Sequence, residues 1–271
     1  MMSPETLPVV LVFAGSDPTG GAGAQADIEA IGSMGGHAAA VITAVTAQDT
    51  AGVKQYTPVD TELVIAQARA VLEDMPVAAI KTGMFGNRDN LVAVASILEA
   101  YRDIPLVVDP VQASTRGDAL TEDRLDDVIR SLLVPRATVL TPNSREAREL
   151  APNADTVDAC AQELMSLGCD YVLITGTHEN TPQVVNRLYG NMRLLESFSC
   201  ERLPHDYHGS GCTLASACSA GLAHGLEPVS AVAEGLKYTW NALKHGQRLG
   251  MGQYLPDRLY WARERRGRDG E

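Results

Sequence analysis

The stretch His208-Gly209-Ser210-Gly211-Cys212-Thr213, followed by the small residues 214–217, decides how this chain is interpreted. Its two alternate glycines allow a tight turn that presents bare backbone N–H groups. The small-residue run predicts a buried helix, so those N–H groups would lie at a helix N-terminus. Such a terminus carries about +0.5 charge and unsatisfied donors, which together bind anions. On this hexamer alone, a glycine-rich turn before a tightly packed helix is an equally open interpretation.

Cys212 falls on the first turn of the predicted helix. The positive end of the helix dipole favours a thiolate over a thiol at that position. An anion-binding turn that contains a polarised acid–base group suits phosphoryl transfer. The other interpretation of Cys212 is a small buried hydrophobic residue.

Composition and charge narrow the class of protein. The 271 residues are 45% hydrophobic, which provides ample core, and the formal net charge of −12 argues against a nucleic-acid or anionic-membrane surface. The early apolar run 7–14 is too short to span a membrane. The five cysteines are odd in number and have no metal-like spacing, so we expect a cytoplasmic, reducing environment.

Apolar runs of strand length alternate with amphipathic stretches of helix length. Strands that are apolar throughout are typical of a parallel sheet covered on both faces, and repeated strand–helix–strand units predict an α/β sandwich. The predicted strands are Val9–Ala14, Ala38–Thr43, Ala78–Lys81, Leu106–Val108, Thr138–Leu140 and Tyr171–Thr175. The predicted helices lie near 24–35, 61–74, 88–102, 121–133, 156–168, 212–224 and 229–246.

Two further segments, 184–189 and 192–199, flank Gly190-Asn191 and predict a hairpin at one edge of the sheet. No linker and no internal repeat interrupts the pattern, so we predict a single domain over residues 1–271. The charged tail from about residue 262 is expected to be frayed.

Polar or glycine-rich loops follow several of the predicted strands. They are residues 15–23, 109–111, 141–146, 176–178 and, after the hairpin, 208–213. In a parallel α/β sheet, ligands bind in the crevice at the carboxyl ends of the strands. We therefore expect these loops to meet around one site.

The segment 21–26 also fits the dinucleotide pattern G-x-G-x-x-A between a strand and a helix. Its glycines begin well after the strand ends, whereas the dinucleotide turn is tight. The second predicted strand, Ala38–Thr43, ends in no Asp or Glu that would hold a ribose. An oxidoreductase is therefore disfavoured.

These motifs together resemble the hydroxymethylpyrimidine and phosphomethylpyrimidine kinases of thiamine biosynthesis, a family with the ribokinase-like fold. The matching segments are residues 14–23 with 25–27, 45–50, 81–84, 107–111, 141–143 with Glu146, 208–213 and 249–252. The resemblance implies a three-layer α/β/α sandwich with a mostly parallel central sheet and an edge hairpin. It also implies ATP-dependent phosphorylation of 4-amino-5-hydroxymethyl-2-methylpyrimidine and of its monophosphate.

The resemblance implies roles for the motif residues. Cys212 would be the base toward the substrate hydroxyl, within an anion hole that stabilises the transferred phosphoryl group. Asp109 and Glu146 would organise Mg²⁺ through water. The anion hole would comprise Gly209, Ser210, Gly211 and Cys212, the substrate pocket Gly15, Asp27, Gln48, Met84 and Val111, and the nucleotide site Asn143, Glu146, Thr175 and Thr177. The amide of Gln48 matches the amino and ring-nitrogen edge of an aminopyrimidine.

The chain departs from the family at three places. Thr175-Gly176-Thr177-His178 stands where the family usually has Lys-Gly-Gly-His, and residues 112–116 and 204–207 are also unusual. Losing the lysine removes a cation that approaches the ATP phosphates, which weakens the case for the second phosphorylation. Arg116 is a candidate substitute.

Two alternative functions stay open on the sequence. One is a pyridoxal or pyridoxine kinase, because that substrate also carries a hydroxymethyl group on an aromatic ring. The other is a non-catalytic pyrimidine-binding homologue. A homodimer is expected only from the family resemblance.

Overall fold

The computed structural model describes residues 6–111 and 125–263, and the strands within these ranges form one nine-stranded sheet. They are β1 (Val9–Ser16), β2 (His37–Asp49), β3 (Gly52–Pro58), β4 (Val77–Thr82), β5 (Leu106–Val108), β6 (Val139–Leu140), β7 (Tyr171–Ile174), β8 (Gln183–Gly190) and β9 (Arg193–Glu201). The sheet order is β3-β2-β1-β4-β5-β6-β7-β8-β9. The six central strands pair in parallel, in the order β2, β1, β4, β5, β6 and β7. Strand β3 at one edge and strands β8 and β9 at the other add antiparallel pairs.

Helices connect the strands. They are α1 (Gly23–Ser33), α2 (Thr61–Asp74), α3 (Arg88–Leu98), α4 (Asp126–Val128), α5 (Ser144–Leu150), α6 (Val157–Ser166), α7 (Ser210–Ala223) and α8 (Pro228–Lys244). A 3₁₀ turn extends α3 to residue 101, and α4 continues into a π turn over residues 129–133. Within the described ranges, no helix is both long and apolar enough to cross a membrane.

The sheet is covered on both faces, as its apolar strands predict. Successive residues of β1 enter opposite cores: Leu11 and Phe13 belong to one apolar cluster, and Val10 and Val12 to the other. Helices α2, α3, α5 and α6 cover the first cluster, and α1, α7 and α8 cover the second. The predicted three-layer, mostly parallel sandwich is therefore confirmed.

Strand β3 was not expected from the sequence. Its side chains are half-buried or exposed, so it lacks the apolar run that marks the inner strands. It pairs antiparallel with the end of β2, which continues to Asp49 and therefore beyond the predicted end at Thr43. Gln48 accordingly lies in a strand rather than in a loop.

The edge hairpin is confirmed, with its turn displaced by one residue. Gly190 ends β8, and the turn residues are Asn191 and Met192, with φ of 51° and 61°. Positive φ at both central positions is the geometry of a type I′ hairpin turn, which asparagine tolerates well.

The short helix α5 is not predicted from the sequence, because its first residues fall in a predicted loop. Of the helix predicted at 121–133, residues 121–124 lie outside the described ranges, as does the tail from residue 264.

Candidate active site

A cavity of about 790 Å³ opens at the carboxyl ends of the parallel strands. All five predicted loops contribute to its wall, which confirms that they meet around one site. The loop residues that line it include Gly15, Asp17, Gly23, Asp109, Val111, Thr141, Asn143, Glu146, Thr177, His178 and residues 208–212. Residues 112–116, which include Arg116, lie outside the described ranges.

The N-terminus of α7 forms the floor of the cavity. Its first intrahelical bond joins the Thr213 N–H to the Gly209 carbonyl at 3.0 Å, so the N–H groups of residues 210–212 have no acceptor within the helix. Gly209 caps the helix with φ of 78°, and a Cβ there would lie 1.9 Å from the Gly21 carbonyl oxygen. Only glycine fits this position, and the turn therefore presents backbone donors to an anion as predicted.

Lys81 lies beneath this floor and was not assigned a role from the sequence. Its side chain is fully buried, with Nζ 3.0 Å from both Asp27 carboxylate oxygens and 4.0 Å from Asp109 Oδ2. Burial alone would lower the pKa of Lys81, but the charges of Asp27, Cys212 and Asp109 raise it above the ordinary lysine value. The ammonium is therefore a fixed positive charge close to Cys212 and Asp109.

The structure corrects the prediction for Asp27, which was expected to close the substrate pocket. Asp27 is fully buried and is absent from the cavity wall. Its oxygens accept hydrogen bonds from Lys81 and, at 2.7 Å, from the Ser216 hydroxyl on α7. Asp27 therefore holds Lys81 in place, because a buried ammonium requires a counter-charge.

Cys212 lies half-buried in the cavity wall, close to the charges of Lys81 and Asp109. Burial raises the pKa of its thiol to about 12, although the Lys81 charge and a hydrogen bond from the Gly23 N–H act in the opposite direction. Burial therefore acts against the thiolate that the helix position predicts, and the thiolate at Cys212 stays a prediction.

Asp109 and Glu146 both line the cavity, and the charge of Asp109 acts on Glu146. Burial raises the pKa of Asp109 to about 6, against the opposing charge of Lys81. Burial and the nearby charge of Asp109 raise the pKa of Glu146 to about 8. Asp109 Oδ2 is buried without a hydrogen-bond partner. Two adjacent carboxylates, one with an unpaired oxygen, fit a hard divalent cation.

The protein alone does not provide a complete set of metal ligands. Across residues 6–111 and 125–263, no three His, Cys, Asp or Glu side chains are grouped to hold a metal ion. Water and a phosphate ligand would have to complete the coordination of Mg²⁺, which commonly keeps several waters.

The predicted substrate residues other than Asp27 line one side of the cavity. Met84 and Val111 pack in a small apolar cluster, and a Cβ on Gly15 would come within 2.9 Å of Met84 Sδ. Gln48 lines the same cavity from the end of β2. An apolar wall with one amide on its edge can hold a flat heteroaromatic ring.

The predicted nucleotide residues line the opposite side. Asn143 caps α5: its Oδ1 accepts the N–H groups of Arg145 and Glu146 at 2.9 and 3.0 Å. Glu146 Oε2 in turn accepts the Asn143 N–H at 2.8 Å, completing a capping box. Asn143 also forms a β-bridge to Thr175, which brings the ends of β6 and β7 together.

A second buried pair joins the first glycine loop to the turn at residues 208–209, which precedes α7. His208 Nε2 lies 2.8 Å from Asp17 Oδ2, and both side chains are buried. Burial alone would raise the pKa of Asp17, but hydrogen bonds from His208 and Thr19 lower it. Both residues belong to the motifs noted in the sequence, but their pairing was not foreseen because they lie far apart in the chain.

The fold and the site together define a ribokinase-like small-molecule kinase: a mostly parallel sheet, an anion-binding helix N-terminus, paired carboxylates and a ring-sized pocket in one cavity. The family model for phosphomethylpyrimidine kinase matches residues 17–257. The chain belongs to the phosphomethylpyrimidine kinase family.

Individual relatives agree with this family. A hydroxymethylpyrimidine/phosphomethylpyrimidine kinase of Mycobacterium tuberculosis is 41% identical over 254 residues, which cover 91% of this chain and 92% of the relative. The phosphomethylpyrimidine kinase structure from Clostridium difficile has a TM-score of 0.76 at 33% identity, covering 88% of this chain and all of that one. Pyridoxal kinase from Staphylococcus aureus, in complex with AMP-PCP and pyridoxal, has a TM-score of 0.85 at 27% identity and covers 95% and 96%.

Proposed function

We propose that the protein transfers the γ-phosphoryl group of ATP to the hydroxymethyl oxygen of 4-amino-5-hydroxymethyl-2-methylpyrimidine, and then phosphorylates the monophosphate, in thiamine biosynthesis. The observation that carries this proposal is the free N-terminus of α7 beside Asp109, in the same cavity as Gln48 and Met84. The backbone donors lie where negative charge develops during phosphoryl transfer, and Gln48 offers the hydrogen-bonding pattern of the pyrimidine edge.

In the proposed reaction, the substrate oxygen attacks the γ-phosphorus and the bond to the β-phosphate oxygen breaks, which releases ADP. The N–H groups of residues 210–212 stabilise the charge on the transferred group. In its thiolate form Cys212 Sγ accepts the hydroxyl proton; the Lys81 charge favours that form and opposes the effect of burial on the pKa of the thiol. Asp109 and Glu146 would hold Mg²⁺ through water, and the ion would neutralise phosphate charge.

A substrate panel tests this function directly. We expect ATP consumption only when a hydroxymethyl-bearing ring is present, a higher kcat/KM for the pyrimidine than for pyridoxal or pyridoxine, and loss of turnover when the divalent cation is chelated. Higher kcat/KM for pyridoxal would instead support the second candidate, which the likeness to the Staphylococcus aureus pyridoxal kinase favours. Tight pyrimidine binding by calorimetry without any product would identify a non-catalytic binding protein.

Arg145 is the candidate cation for the nucleotide phosphates, in place of the lysine that the family carries at the position of Thr175. Lys81 is held by Asp27, and Arg202 donates to the carbonyls of Thr177, Thr181 and Glu179. The Arg145 guanidinium lines the cavity and has no hydrogen bond or ion pair within the described part of the chain. Burial, then the charges of Arg145 and Arg202, lower the pKa of the adjacent His178, which marks this end as cationic.

We expect Arg145→Ala to raise the KM for ATP about tenfold or more with a smaller change in kcat. A charge-assisted hydrogen bond contributes about 1.5–3 kcal/mol, and each 1.4 kcal/mol is a factor of ten. Steady-state kinetics and calorimetry with AMP-PCP both measure the change. Adding Thr175→Lys to Arg145→Ala should lower the KM again.

Arg148→Ala is the matched control, because Arg148 lies on the same helix but bonds Ser144 and Glu179 and is not part of the cavity wall. Its KM for ATP should equal that of the unaltered protein. An unchanged KM in Arg145→Ala would remove Arg145 from the nucleotide site.

We further place the protein in the cytoplasm, acting on its small-molecule substrate and ATP as a homodimer. All five cysteines are unpaired, and they are buried or half-buried, as suits a reducing compartment. The dimer rests on family resemblance. Sedimentation equilibrium would distinguish the dimer from a monomer by mass.

A further inference from the structure

Arg258 is a buried arginine that lies outside every motif noted in the sequence. Only 2% of its surface is exposed, yet all three nitrogens of its guanidinium donate hydrogen bonds. Nε donates to Thr213 Oγ1 at 2.9 Å, Nη1 donates to the Gly20 carbonyl at 3.0 Å and to Glu29 at 3.1 Å, and Nη2 donates to the Gly21 carbonyl. A rigid planar fork of donors suits this kind of multiple contact.

Apart from Glu29 on α1, the groups that Arg258 binds belong to two segments, the first glycine loop and the N-terminus of α7. Gly20 and Gly21 lie in the first glycine loop, and Thr213 lies on the first turn of α7. Thr213 Oγ1 also donates to the Gly209 carbonyl at 2.8 Å. One guanidinium therefore connects the loop that precedes α1 to the capping residue of α7.

The contact between these two segments lies next to the helical turn that carries Cys212. The Gly21 carbonyl lies against the Cα of Gly209, where no side chain would fit. Two residues after Gly21, Gly23 lines the cavity together with Cys212. A shift of the loop would consequently disturb the turn at Gly209, which directly precedes the helical turn that carries Cys212.

We propose that Arg258 is a positioning residue for phosphoryl transfer, which holds the first glycine loop against the N-terminus of α7 and thereby fixes the first helical turn, on which Cys212 lies. This inference rests on the proposed function. Arg258 touches neither the cavity nor a reacting atom and acts through the two segments that it joins. It should therefore affect kcat far more than the KM for ATP.

The first test compares Arg258→Lys and Arg258→Met with the unaltered enzyme. Met preserves the apolar stem but supplies no donor, and Lys supplies a compact charge that cannot bridge all the acceptors. We expect kcat to fall about 10²-fold in Arg258→Met, because a displacement of about 1 Å costs about that factor, with a smaller fall in Arg258→Lys. The KM for ATP should change little.

Arg136→Lys is the matched control. Arg136 also donates to carbonyl groups, those of Tyr101 and Ile104, and contributes nothing to the cavity wall. The two lysine variants are compared at equal loss of thermal stability, and the kcat of Arg136→Lys should equal that of the unaltered enzyme. An equal fall of kcat in both variants would reduce Arg258 to a purely structural role and overturn the proposal.

A double-mutant cycle with Cys212→Ala distinguishes a positioning role from a purely structural one. It compares the effect of Arg258→Met on kcat with and without the Cys212 thiol. If Arg258 acts through Cys212, Arg258→Met should lower kcat far less in the Cys212→Ala background than in the parent. Additive effects of the two substitutions would overturn the proposal.

A measurement without turnover separates this inference from the proposed function. In hydrogen-exchange mass spectrometry, Arg258→Met should accelerate exchange in residues 17–23 and 209–213, and Arg136→Lys should not. Unchanged exchange in those segments would contradict the positioning role. Absence of kinase turnover in the unaltered protein, with accelerated exchange in Arg258→Met, would refute the function and leave the connection between the segments intact.

Discussion

Cys212→Ala is expected to lower kcat by about 10²–10⁴-fold, with little change in the KM for ATP. This is the usual contribution of a general acid–base group and corresponds to about 3–5 kcal/mol of activation barrier. Alanine preserves the backbone N–H at position 212 and is favourable in the helix, so only the proton acceptor and a small volume are removed. Steady-state kinetics with saturating pyrimidine measures the change.

Two variants make the result specific. Cys200 is another cysteine of the cavity wall and lies on β9, away from the helix N-terminus, so Cys200→Ala should retain the parental kcat. Cys212→Asp supplies a different proton acceptor and should retain part of the activity. If Cys212→Ala turned over within a few-fold of the parent, Cys212 would be a packing residue, and the backbone donors and the cation would carry the rate.

Lys81→Met is expected to reduce the free energy of unfolding by about 3–5 kcal/mol. Lys81 and Asp27 are both fully buried, and removing the ammonium leaves the Asp27 carboxylate as an uncompensated buried charge. Asp109 would lose its nearest positive charge at the same time. Urea denaturation followed by circular dichroism measures the loss.

The double variant Lys81→Met with Asp27→Asn is the matched comparison. It removes both charges of the pair and retains a group that can accept the Ser216 hydroxyl, so it should recover most of the lost stability. Kinase activity should stay low in this variant, because the positive charge beneath Cys212 is absent. A loss below about 1 kcal/mol in Lys81→Met would show that Asp27 is neutralised in another way.

Local signals in the sequence predicted the fold well. The helix predicted at 61–74 is confirmed with the same bounds, because Asp60 caps its first turn by accepting the N–H groups of Glu62 and Leu63. The edge hairpin follows from its turn residues, and the inner strands follow from their continuous apolar runs. Strand β3 escaped prediction because an exposed edge strand has no such run.

The pKa values and the charge partners of the site residues could not be predicted from such local signals. The Cys212 motif correctly predicted a helix N-terminus in the cavity wall, but the pKa of its thiol depends on burial by segments elsewhere in the chain. Asp27 fits a binding motif, yet its role depends on Lys81, which lies 54 residues further along. Chain separation hides such partners, since no short pattern joins them.

Glu146 caps α5 and also lines the cavity, so the two sides of the cavity differ in how far apart their contacting residues lie in the chain. The capping box spans four consecutive residues, so the geometry immediately around Glu146 is set by local contacts. The opposite side depends on contacts between distant segments, such as the bond from Arg258 to Gly20 across 238 residues. A substitution near residue 258 can therefore disturb the side around Cys212 and leave the cap of α5 intact.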